Sequence, residues 1–117
     1  MNKINLKKIL VPLDGSNNSF RGLDHAISLA KLSGASIVGA HVSYVPGNLA
    51  YPRQGFINQT LLKEAKRYLN TAKKRCTENN ITFTSKILAG TPSHGIVKFG
   101  QEVRNGINMI VMGTRGL

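Results

Sequence analysis

Two short segments of the 117-residue sequence place side chains and glycines where they could do chemistry. The first is Pro12-Leu13-Asp14-Gly15-Ser16, which follows the apolar run Ile9-Leu10-Val11 and sets a carboxylate just beyond it. The second is Gly113-Thr114-Arg115-Gly116, which follows Asn108-Met109-Ile110-Val111-Met112 and holds a cation between two glycines. Glycines let the backbone turn tightly and approach a ligand, and N–H groups exposed in such a turn can hold phosphate oxygens. If the two segments end neighbouring strands, Asp14 could meet ribose hydroxyls or a phosphate-bound metal while the glycine turn and Arg115 take the phosphates. A nucleotide suits that pair. Each part also has a plain reading: Gly-x-x-Gly after a strand makes an ordinary turn, and Asp14 or Ser16 can cap the helix that follows. Neither the Walker-A pattern nor the dinucleotide Gly-x-Gly-x-x-Gly fingerprint is present.

The elements that must position these segments follow from apolar spacing. Lys7 to Asp14 reads as a strand buried on both faces of a parallel sheet, ending where Pro12 cannot donate a ladder hydrogen bond. From about Asn18 to Leu32, Phe20, Leu23, Ala26, Ile27 and Ala30 recur at helical spacing, with Ser16 to cap the start and Gly34 to stop the end. Ser36 to Tyr44 is a second buried strand, and Val45 to Gly55, with two prolines and two glycines, is a loop. From about Ile57 to Glu78 a second helix sets Leu61, Ala65, Tyr68, Leu69, Ala72 and Cys76 on one face. Its other face carries Lys63, Lys66, Arg67, Lys73, Lys74 and Arg75. Thr82 to Ala89 is a third strand, Thr91-Pro92 opens a third helix, and Asn108 to Met112 is a fourth buried strand. Strict β-α alternation specifies a doubly wound parallel α/β sheet; a barrel needs about twice this length. In such sheets ligands bind beyond the carboxyl ends of the strands, where the winding reverses.

Composition excludes several classes. The length fits one domain, residues 1–117. A single cysteine, Cys76, excludes an internal disulfide framework and a Cys-based zinc cage. No apolar run approaches the ~20 residues of a bilayer span, and the N-terminal apolar stretch is too short for a signal core, so a cytoplasmic protein with no membrane partner is expected. Sixteen Lys and Arg against five Asp and Glu give a net charge of +11, which admits polyanions as partners or simply makes a solvated basic surface. With no aromatic interleaving among the cations and no nucleic-acid motif, no specific nucleic-acid recognition is expected. The histidines suggest no metal cluster: His41 reads as a satisfied core histidine, His25 as a partly exposed packing residue, and His94 as a first-turn residue near a strand end that could touch ligand. Cys76 reads as a small hydrophobe. The five acids form no close pair, so two-carboxylate catalysis lacks support.

KKILVPLDGS before an amphipathic helix, then GAHV, GTPSHGIV and NMIVMGTRGL, resembles the universal stress protein family across essentially the whole chain and in the family's order. The resemblance implies a Rossmann-like, adenine-nucleotide-hydrolase-type sheet, a homodimer and, in one branch, an ATP site, with Mg²⁺ reaching Asp14 only through bound nucleotide. In that branch Pro12 and Asp14 are nucleotide contacts, Val42 holds the adenine, and Met112, Gly113 and Gly116 belong to the loop at the fourth strand. Arg115 is assigned by charge and position, since the family does not require arginine there. No catalytic residue and no protein-bound metal are implied.

The sequence departs from the family pattern in two places. The ATP-binding branch continues nine residues to another Gly followed by Ser or Thr, whereas this sequence stops at Leu117, before that half of the phosphate cradle, the final helix and the fifth strand. A C-terminally truncated domain with weakened or absent ATP binding is therefore expected. Asn108 stands where the family commonly has Asp. The expected function is a stress-response, ATP-binding module with little turnover, at most a slow ATPase, acting on an unknown protein partner. The alternative is a dimerising or scaffolding stress protein that binds no nucleotide.

Overall fold

Chain order and strand order differ in this protein, and that difference sets the ends of β1 and β4 side by side. In the computed structural model, residues 6–43, 59–89, 92–102 and 105–113 are described. They form β1 (Lys8–Pro12), α1 (Asn17–Ser33), β2 (Ser36–Ser43), α2 (Gln59–Glu78), β3 (Phe83–Ala89), α3 (Pro92–Gln101) and β4 (Met109–Ile110). The sheet is parallel with order β3-β2-β1-β4. Winding runs outward from β1 to β2 and β3, then returns to place β4 on the other side of β1. The reversal falls between β1 and β4, as the doubly wound α/β expectation requires.

Register sorts the core into two layers, because successive strand residues face opposite sides of the sheet. Ile9 pairs with Ile37, and Ile37 with Phe83; these residues and Val11 face α1 and α2. Leu10 pairs with Val38 and, on its other side, with Ile110; Leu10 and Val38 pack with Ala40 and Ile96 of α3. The first layer is the larger, with Leu23, Ala26 and Ala30 of α1 and Ala65, Ala72 and Cys76 of α2 all fully buried. The apolar stripes expected for both helices are thus the buried faces, apart from Leu61, whose side chain lies outside the described residues.

Local signals hold at the helix ends. Ser16 sits in extended backbone and its Oγ accepts a hydrogen bond from the Ser19 N–H at 3.1 Å, capping α1. Gly34 takes φ +79° and its N–H reaches the Ala30 carbonyl at 2.8 Å, which ends the helix in the left-handed cap that glycine favours. The expected loop at 45–55 and the Thr91 cap lie outside the described residues.

The fourth strand differs from its expectation. The strand proper is Met109 and Ile110, flanked by hydrogen bonds from the Asn108 and Val111 N–H groups to the Lys8 and Leu10 carbonyls, and both strand residues are exposed, at 36% and 38%. Met112 is 56% exposed. A continuous apolar run signals burial only when both faces are covered. Among the described residues β4 is an edge strand with one neighbour, and Ile110 borders an open groove with Val97 and Gly100 of α3. Asn108 secures the strand's start: its Oδ1 accepts the Lys7 and Lys8 N–H groups at 2.8 and 2.9 Å. Lys8 Nζ adds a hydrogen bond to the Asn105 carbonyl at 3.0 Å. One side-chain oxygen accepting two backbone N–H groups ties the start of β4 to the start of β1.

Candidate functional site at the ends of β1 and β4

Beyond Pro12 the chain leaves the sheet through a tight, hydrogen-bonded turn. Leu13 remains buried at 2% exposure and its N–H donates to the Ala40 carbonyl at 2.8 Å, so β1 and β2 stay joined past the last strand residue. Asp14 then turns out to solvent. Its Oδ1 accepts the Ser16 N–H at 2.8 Å, closing an Asx turn. Partial desolvation pushes the Asp14 carboxyl up, but hydrogen bonds from the Ser16 side chain and backbone and from the Ser19 side chain hold it below its ordinary 3.8. Asp14 is thus a solvent-facing carboxylate that braces the turn leading into α1, while the cap itself is Ser16.

Gly15 takes φ +85°, and an added Cβ there would stand 2.9 Å from Cδ1 of Tyr68. The turn is therefore roofed by an aromatic ring from α2. The Tyr68 hydroxyl is hydrogen-bonded to Nδ1 of His41 on β2, with the two rings edge-to-face at 5.5 Å. Tyr68, His41, Gly15 and Asp14 thus form one polar cluster at the carboxyl ends of β1 and β2. His41 is the satisfied histidine the sequence suggested, though half-buried rather than core. His25 is exposed.

Tyr68 is the residue that sequence reasoning misses, because helical spacing shows it only as part of an apolar stripe. Its signal was there: among the apolar-face residues of α2 it alone ends in a hydroxyl, and a buried tyrosine tip seeks a partner. Burial first, then the negative charges of Asp14 and Glu64, push its phenol up to about 12. A phenol so weakly acidic is no phenolate nucleophile near neutral pH, even with an imidazole beside it. Burial likewise pushes the Cys76 thiol up to about 11, consistent with a small apolar packing residue.

These shifts give a titration prediction. Because the folded state holds the Tyr68 proton more tightly than the unfolded chain, its contribution to stability is complete below pH 10 and is lost as pH rises towards about 12. Asp14 acts in the opposite sense: its contribution is present above its ordinary 3.8 and disappears as pH falls through the lowered folded value. In an ultraviolet titration of phenolate absorbance, the phase near pH 12 should vanish in Tyr68→Phe. A titration unchanged by that substitution would contradict the placement of Tyr68.

At the other side of the switch point, β4 reaches α1 through two glycines. A Cβ on Gly22 would lie 2.7 Å from the Gly113 backbone nitrogen, and a Cβ on Gly113 would overlap the Asn18 carbonyl. Gly113 therefore has a packing reason of its own, since the end of β4 presses directly on the first turns of α1. Through α1 and its Ser16 cap, that contact bears on the Asp14 turn, so Pro12, Asp14, Met112 and Gly113 are gathered around one strand-end region. Val42 lies near the end of β2, opposite Leu88 of β3, with its side chain outside the described residues. Arg115 and Gly116 lie outside them entirely, and the side chain of His94, on α3, does too. Among the described residues no group of three or more His, Cys, Asp or Glu is placed to hold a metal, and no helix is long and apolar enough to cross a membrane.

Comparison with known proteins agrees with this fold. The family model described as the universal stress protein family matches residues 5–117. Universal stress protein MJ0531 of Methanocaldococcus jannaschii is 33% identical over 113 residues, covering 94% of this chain; the chain spans 65% of that relative's length. The solved universal stress protein of Archaeoglobus fulgidus in complex with dAMP superposes with a TM-score of 0.72 at 24% identity, over 93% of this chain and 82% of its own. A universal stress protein solved in complex with cAMP gives a TM-score of 0.73 at 20% identity, over 92% and 76%. The parallel sheet, its strand order and the family match together place this chain in the universal stress protein family.

Proposed function

We propose that this chain is an adenine-nucleotide-binding stress-response module, with ATP and its Mg²⁺ as the working ligand and little or no turnover. The observation that carries the reading is the meeting of the β1 and β4 ends at the winding reversal, with the Asp14 carboxylate held in a braced turn on one side and the Gly113 backbone on the other. In this reading Asp14 meets the ribose or the nucleotide-bound metal, Val42 borders the adenine, and Gly113, Arg115 and Gly116 face the phosphates. The residues described fit a nucleotide's polar half: an exposed carboxylate lowered by donors that remain in place, next to a strand end that is backbone rather than side chain. Relatives solved with dAMP and cAMP support the adenine part of the proposal. A homodimer and a cytoplasmic setting belong to the same proposal.

The test is a thermal-shift titration with millimolar ATP and Mg²⁺, run beside dAMP. A ligand that binds only the native state stabilises it by about 2.7 kcal/mol at a hundredfold excess over its Kd. Asp14→Ala should abolish the shift while leaving the protein folded. No shift with either nucleotide removes the proposal and favours the scaffolding alternative. Phosphate release above the level of Asp14→Ala would instead show an ATPase.

A further inference from the structure

The charge that the strand-end site does not absorb is concentrated on α2, and the structure separates it into two kinds. Arg75 is engaged: its Nη1 lies 3.1 Å from Asp24 Oδ1, and its guanidinium stacks 5.0 Å from the centroid of Phe20. Lys63, Lys66, Arg67, Lys73 and Lys74 are exposed and, among the described residues, none of them makes an ion pair. At helical spacing these five fall within about 120° of the helix surface. From Lys63 onward the other positions in that stripe are Asn70 and Thr77, with Glu64 and Glu78 to one flank and the half-buried Leu62 to the other.

Such a stripe is costly for the protein alone. Lys63 repels Lys66 and Arg67 at three and four residues' separation, and like charges at that spacing destabilise a helix. The stripe is nonetheless presented rigidly. Ala65, Leu69, Ala72 and Cys76 bury the opposite face, while the Tyr68–His41 and Arg75–Asp24 contacts fix the rotation of α2 about its axis.

We propose that this face of α2 docks on the phosphate backbone of double-stranded nucleic acid, without reading sequence. Two features choose this partner among polyanions. The stripe carries no apolar residue to enter a bilayer interface, unlike surface-binding amphipathic helices. It also carries no aromatic residue to stack on bases, which single-strand binders use. Its spacing suits a duplex: Lys63, Lys66 and Arg67 form one group, Lys73 and Lys74 another, with centres about 12 Å apart at 1.5 Å per residue. The major groove of B-form DNA is about 12 Å wide, so each group can meet the phosphates of one strand of a DNA duplex with the helix lying across. This surface is separate from the strand-end site and does not depend on nucleotide binding there.

The experiment measures fluorescence anisotropy with two unrelated 20-base-pair duplexes, a single strand of the same length, and vesicles containing anionic lipid, across a salt series. Both duplexes should bind alike and better than the other two probes, with log K falling against log salt at a slope of about −4 to −5 for five phosphate contacts. Lys63→Glu/Arg67→Glu/Lys74→Glu should weaken duplex binding more than tenfold. A control with equal charge change elsewhere, Lys31→Glu/Lys86→Glu/Lys98→Glu, should cost less than threefold. If the reversed variant does not fold, Lys63→Gln/Arg67→Gln/Lys74→Gln should reduce the slope by about 3. Equal losses in the stripe and control variants, absence of duplex binding at low salt, or stripe-dependent binding to vesicles or single strands that equals or exceeds duplex binding would each overturn the proposal.

Discussion

Gly113→Ala should lower the unfolding free energy by about 3 kcal/mol, the upper part of the usual range for forcing atoms into packed space. The new methyl group would occupy the position of the Asn18 carbonyl, and the Ser19 nitrogen is also only 3.0 Å from it. These are backbone atoms in the capped first turn of α1, so no rotamer change relieves the clash; the helix start or the end of β4 must move. For a domain of this size the melting midpoint should fall by roughly 10 °C. Gly22→Ala meets the same junction from the other side, 2.7 Å from the Gly113 nitrogen. The double substitution should therefore cost less than the sum of the two, because one displacement of α1 makes room for both methyl groups. The nucleotide binding proposed above should fall with stability, since the displaced turn is the one that braces Asp14. Thermal and urea unfolding of the three variants check this, and a Gly113→Ala protein with an unchanged midpoint would show that β4 does not press on α1.

That junction also marks the boundary of what the sequence can reveal. Ser16 as cap and Gly34 as stop were legible because each acts within one turn of its own residue. The buried run Ile9-Leu10-Val11 was legible because a central parallel strand is covered on both faces wherever it lies in the order. The Gly22–Gly113 contact was not, since it depends on β4 returning beside β1, some 90 residues after Gly22. The same long-range pairing lets Asn108 hold the Lys7 and Lys8 amides, a role invisible in a lone Asn before an apolar run. Tyr68 and His41 were both noticed, but as separate packing residues; only the placement of α2 over the ends of β1 and β2 makes them partners. The apolar run at 108–112 misled for the complementary reason. Apolar composition predicts burial only when something covers the strand, and β4 sits at an edge.

The two faces of the sheet should therefore respond unequally to the same deletion. Leu23 and Leu10 are both 0% exposed, so Leu→Ala removes the same atoms from equally dry surroundings. The transfer contribution is equal, and any difference comes from the cavity left behind. Leu23 sits in the larger layer, enclosed by β1, β2, α1 and α2, whose neighbours are held by the capped helix and the Arg75–Asp24 and Tyr68–His41 contacts. Those neighbours cannot easily close on a void, so Leu23→Ala should cost about 4 kcal/mol, within the range observed for rigid cores. Leu10 belongs to the thinner layer with Val38, Ala40 and Ile96. That layer opens sideways into the groove lined by Val97, Gly100 and Ile110, where side chains have room to shift. Leu10→Ala should accordingly cost about 2.5 kcal/mol. Urea unfolding of both variants, compared at matching m values, measures the difference directly. Equal losses would mean that the α3 face is packed as firmly as the α1–α2 face. A larger loss at Leu10 would place the main core on the other side of the sheet.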